Sequence, residues 1–125
     1  MDIVLINQSK KFLANKELNR KKILHNRFLN ATEDFDKIVK MIAKKYNPFR
    51  IYQWGSLLNE ETFSEISDID IAVEGITSAQ TFFAMYSDAD NLTSFPLHLV
   101  EIEKIRPIYA KWIKTDGRII YERRN

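Results

Sequence analysis

Asp68 and Asp70 stand two residues apart in the run Ser-Asp-Ile-Asp-Ile-Ala-Val. The strict alternation of residues 68–73 reads as a strand, with Ile69, Ile71 and Val73 on one face and Asp68, Asp70 and Ala72 on the other. Side chains two apart on a strand point the same way, their Cα atoms roughly 6.5–7 Å apart. Like charges at that distance repel unless something neutralises them. One reading is a solvated outer face of an antiparallel strand, where Asp is tolerated. The other is a pair of ligands for Mg²⁺ or Mn²⁺, hard cations held by one or two carboxylates plus substrate phosphates. Two such carboxylates can serve two metals about 3.5–4 Å apart, the clamp of phosphoryl chemistry. Gly55-Ser56 ends an earlier strand, and 11 residues separate it from Asp68. Glycine lets the backbone approach a ligand closely, and amides with a serine hydroxyl can hold phosphate oxygens. A Gly-Ser pair alone is usually a plain turn. Strand, Gly-Ser, polar loop and Asp-Ile-Asp strand together are far more specific.

The elements that must position these residues follow from periodicity. Residues 17–46 contain no Gly or Pro, and Leu24, Phe28, Ala31, Phe35, Ile38 and Ile42 form one helical stripe. Asn30 and Glu33 form a potential capping box, so a break near residue 30 is an alternative. Asn47-Pro48 ends the helix. Residues 50–54 read as a strand, 77–89 as a helix capped by Thr77 or Ser78, 96–102 as a strand, 104–114 as a helix with Pro107 in its first turn, and 118–122 as a last strand. The order predicts one α/β (α+β) domain over residues 1–125: a small mixed sheet of about four strands with helices packed on it. Residues 1–16 read as an N-terminal addition to a helical segment 17–46 and a core 50–123. Tyr52, Trp54 and Phe49 read as core aromatics, and Tyr109 and Trp112 as a packed helix face. His25 reads as exposed and inert.

The chain has 125 residues, 45% hydrophobic and 29% charged, as expected of a globular domain. The absence of cysteine excludes disulfides and thiolate metal sites. No apolar run approaches the ~18 residues of a membrane helix, and the first residues lack the features of a signal peptide, so a cytoplasmic location is expected. Residues 1–50 carry 12 basic and 5 acidic side chains, a net +7; with the total at +2, residues 51–125 carry −5. Lys10, Lys11, Arg20, Lys21, Lys22 and Arg27 could meet RNA, but no interleaved aromatics support it, and nucleic acid is not the expected partner.

At Gly55-Ser56 and at Ser67-Asp68-Ile69-Asp70-Ile71-Ala72-Val73 the chain resembles the minimal nucleotidyltransferases of the polymerase β superfamily, over roughly residues 35–123. The resemblance implies a palm-like nucleotidyltransferase core. It implies transfer of a nucleoside monophosphate, AMP foremost, from ATP or another triphosphate to a hydroxyl, with release of pyrophosphate. Gly55 and Ser56 would hold the triphosphate, and Asp68 and Asp70 would ligate Mg²⁺. Many such proteins pair with a helical HEPN-domain toxin and act as its antitoxin, some by placing AMP on a partner tyrosine. Whether the chain forms a homo- or hetero-oligomer is left open.

The chain departs from the family pattern in three places. The loop after Ser56 is one residue longer than usual, which loops tolerate. Leu57, Leu58 and Asn59 stand where Arg and Gly often follow. His98 stands where a third aspartate is normal; Glu101, three positions on, points to the opposite face. Histidine can accept a proton near neutral pH or ligate a metal, but it adds no negative charge for a second Mg²⁺. An enzyme with His98 as its altered base is one reading. A nucleotide-binding or HEPN-capping module is the other. Transfer to a small molecule such as an aminoglycoside fits less well, because no second domain is evident to bind it.

Overall fold

A computed structural model describes residues 2–124. Helix α1 runs from Ile3 to Tyr46 without a break. Strand β1 (Arg50–Trp54) is followed by two short 3₁₀ turns (Ser56–Leu58 and Glu60–Thr62) and by β2 (Ile69–Glu74). Helix α2 (Ala79–Asp90), β3 (Leu97–Glu101), α3 (Pro107–Asp116) and β4 (Arg118–Glu122) complete the chain. The sheet order is β3-β2-β1-β4. β1 is antiparallel to β2 and β4, while β2 and β3 run parallel across the α2 crossover. The sheet is therefore mixed and four-stranded, as expected.

α1 is longer than the apolar stripe implied. Its start is set by Asp2, whose carboxylate accepts the Val4 amide at 3.0 Å. The capping box at Asn30 is not used. Phe28, Ala31 and Phe35 keep one stripe against the sheet through that point, so packing holds the helix continuous. Asn47 closes it in a left-handed conformation (φ 45°). From residue 3 to residue 19 every side chain is exposed except half-buried Ile6. The buried residues of α1 are Ala31, Phe35, Ile38, Val39 and Ile42.

These side chains meet Ile51, Ile69, Ile71, Val73, Leu99 and, from α2, Met85 and Ala89 in the main core. A smaller cluster on the other face joins Tyr52 and Ala72 to Ile102 and Ile113. β2 is thus covered on both faces, and Ala72 lies on the α3 side as its alternation requires. Ser78, of the two caps considered, caps α2, and Pro107 opens α3.

Because the main core holds α1 only by its C-terminal half, truncations along this helix should differ sharply. Ile38→Ala should cost about 2–5 kcal/mol in urea unfolding. Phe12→Ala, in the exposed half, should stay within about 0.5 kcal/mol.

Candidate functional site

β1 and β2 pair with Trp54 opposite Asp70, and β2 and β3 pair with Asp70 opposite His98. These three side chains form a row across one face of the sheet. Asp68 stands one residue before β2, half-buried. Asp70 is only 8% exposed, and His98 Nδ1 lies 3.3 Å from Asp70 Oδ1. Burial pushes the Asp70 carboxyl above the usual range; the His98 charge opposes that, and Asp68 adds to it. Trp54 and His98 meet edge to face, their ring centroids 5.1 Å apart. The Trp54 indole N–H is buried without a partner.

Gly55 follows Trp54 directly with φ 81°, ψ −163°, a region that essentially only glycine occupies. A Cβ built there would lie 2.1 Å from Asp70 Oδ2. The chain therefore turns against the face of the carboxylate, and no side chain fits between. Ser56 opens the first 3₁₀ turn, whose leading amides have no partner within it. The loop beyond is tied back to this point. Thr62 Oγ1 donates to Ser56 O at 2.7 Å, Phe63 enters the main core, and the Ser64 amide donates to Ser67 Oγ at 2.8 Å. The departures after Gly-Ser have structural work. Leu57 is buried in the core, and Asn59 accepts the Glu61 amide.

The expected residues Gly55, Ser56, Asp68, Asp70 and His98 are thus brought to one end of the sheet. Glu101 is not among them: it lies on the opposite face from His98, buried, with Lys104 Nζ 3.3 Å from its carboxylate. Several readings need correction. Trp54 is more than a core aromatic, because it meets His98 edge to face. Tyr109 and Trp112 are not packed away; they are 46% and 53% exposed, because among the described residues no element covers that side of α3. Phe49 is half-buried under the Arg50 guanidinium, 4.4 Å from its ring centre. His25 is paired with Glu60 across the 3₁₀ loop. Arg27 is half-buried and lies over the Phe95 ring at 4.7 Å.

Among the described residues no three His, Cys, Asp or Glu side chains cluster closely enough to hold a metal unaided. Two carboxylates facing one way, one with its proton affinity raised by burial, still fit a divalent cation that brings other oxygens with it. Among the described residues no helix is long and apolar enough to cross a membrane.

Residues 36–125 match the family model described as polymerase beta, nucleotidyltransferase. No curated protein sequence matches the chain. Solved structures of similar fold include a toxin–antitoxin MntA–HepT crystal structure, with 18% identity, TM-score 0.55 and coverage of 73% of this chain and 72% of that one. Another is a toxin–antitoxin crystal structure with AMP-PNP, with 21% identity, TM-score 0.59 and coverage of 70% and 73%. At such identities the likeness speaks to the fold alone, and this fold carries the Gly-Ser turn and Asp-Ile-Asp strand at the end of its sheet. The family match spans well over half of the sequence and includes every residue of that row, and on it the chain belongs to the polymerase β-type nucleotidyltransferases.

Proposed function

We propose that this chain moves a nucleoside monophosphate, AMP foremost, from a nucleoside triphosphate to a hydroxyl on a HEPN-type partner protein, in the manner of an antitoxin. The observation that carries this reading is the placement of Asp70 between Gly55 and His98. The similar structures support it in kind: they are toxin–antitoxin crystal structures, and one is described with AMP-PNP. Asp68 and Asp70 would hold the divalent cation, Mg²⁺ or Mn²⁺, which when bound neutralises charge on the triphosphate and on the departing pyrophosphate. The Gly55-Ser56 turn offers backbone amides and a hydroxyl to the phosphates at a point where no Cβ intervenes. The acceptor oxygen bonds to the α-phosphorus, the bond from that phosphorus to the bridging oxygen breaks, and pyrophosphate leaves. His98 faces Asp70 with Nδ1, so Nε2 is free to take the hydroxyl proton.

A second reading is favoured by one specific feature. His98 supplies no charge where a third carboxylate would, and the described residues hold no three-ligand cluster. On that reading the chain is a nucleotide-binding cap for its partner, impaired in transfer.

The two are separated by incubating the protein with α-labelled ATP, Mg²⁺ and the product of the adjacent gene. Label should appear on the partner with wild type and vanish with Asp70→Asn. No label with wild type supports the cap. The same substitution has a structural signature. The folded state holds the Asp70 proton more tightly than the unfolded chain does, so ionisation costs stability as pH rises through the carboxylate range. At pH 8 without metal, Asp70→Asn should melt on the order of a few degrees higher, yet lose any rise on adding ATP and Mg²⁺.

Gly55→Ala should abolish nucleotide binding although only a methyl is added, because Asp70 must move. Calorimetric titration with AMP-PNP checks this, and wild-type affinity would reduce the Gly-Ser pair to a plain turn. For His98, replacement by Ala should slow transfer about 10²–10⁴-fold if it is the base. His98→Asp should tighten Mn²⁺ binding in the presence of nucleotide. Unchanged rates in His98→Ala would remove it from the mechanism.

A further inference from the structure

A cavity of about 280 Å³ opens beside Gly55, between the sheet and α3. Its walls include Trp54, Leu58, Val100, Tyr109 and Trp112, with the carboxylate-bearing Asp116 also in its lining. That is close to the lower end of small-molecule sites, which are mostly apolar with a few polar anchors. We propose that this cavity seats the base of the nucleotide, an inference that rests on the triphosphate binding at Gly55-Ser56.

Three features point to a base. Gly55 belongs both to the phosphate turn and to the cavity wall, so a ligand held by its phosphates at the turn enters the cavity with its other end. Tyr109 and Trp112 meet edge to face, centroids 5.4 Å apart, and are about half exposed. They offer flat apolar surface on which a base can stack. The Trp54 ring adds a further flat wall beside them. Asp116 is an acceptor for an exocyclic amine.

The rival occupant is the aromatic ring of an acceptor side chain. Its hydroxyl has to meet Asp70 and His98, and the His98 side chain is 55% exposed. An acceptor on a folded partner therefore reaches the reacting end from solvent, without filling a cavity under α3.

The test compares AMP-PNP with inorganic tripolyphosphate, a ligand that keeps the phosphates and lacks the base, both with Mg²⁺ and the full chain. Wild type should bind AMP-PNP more tightly. Trp112→Ala should weaken AMP-PNP by about tenfold or more, as loss of one stacking partner implies, and leave tripolyphosphate unchanged; Trp112→Phe should restore most of the loss. Retained tripolyphosphate affinity also shows that the variant is folded. Unaltered AMP-PNP affinity in Trp112→Ala, or equal losses for both ligands, overturns the base site while the phosphate turn stands. Failure of wild type to bind either ligand overturns the functional reading itself, and the base site with it.

Discussion

The close approach of Asp70 to Gly55 is the constraint on which the site depends. A carboxylate that is nearly buried in a sheet row loses hydration, and its proton affinity rises accordingly. The chain accepts that cost because the β1–β2 pairing sets Trp54 opposite Asp70, and the next residue must turn sharply across the carboxylate. Only glycine takes the backbone angles required and leaves the space. The loop that follows is pinned by Thr62, Phe63 and Ser67, so Asp68 enters β2 in the register that keeps both aspartates on the same side. On the proposed function, a carboxylate whose charge burial disfavours is one that a divalent cation would stabilise, the usual tension between a stable fold and a working site.

The two faces of the sheet divide the labour. α1 and α2 cover one face with a continuous apolar core, which fixes strand order and register. α3 covers the other face with a smaller cluster, and the incomplete cover leaves open space beside the row of Trp54, Asp70 and His98. Glu101 shows how strictly the pleat separates the two. It sits three residues from His98 in the same strand and faces away from it.

Much of this was legible in the sequence because the informative features are local. Alternation placed Asp68 and Asp70 on one face. The family resemblance singled out His98, and the parallel register sets it opposite Asp70. The order of elements implied a small mixed sheet. What could not be read depends on contacts between distant segments. Helical spacing puts Tyr109 and Trp112 on one face of α3, but says nothing about whether another element covers it. The pairing of His25 with Glu60 spans 35 positions and leaves no local pattern. Trp54 looked like core because an aromatic at a strand end usually is; its edge-to-face contact with His98 needs the third strand. The start of α1 was missed because residues 3–16 lack the stripe that packing against the sheet would demand.

That exposed half of α1 has a consequence for how the molecule breathes. A helical segment of some seventeen residues without tertiary contacts is marginal in water, since helix propagation barely repays nucleation. Here it is seeded by the packed half and grows outward from it. Opening free energy should therefore fall along a single helix, from the global unfolding value between Ala31 and Ile42 to nearly nothing toward Ile3. Amide hydrogens would exchange in that order, so that one continuous element behaves as two units of very different protection, with the boundary where Arg20 and His25 reach the acidic loop through Glu65 and Glu60.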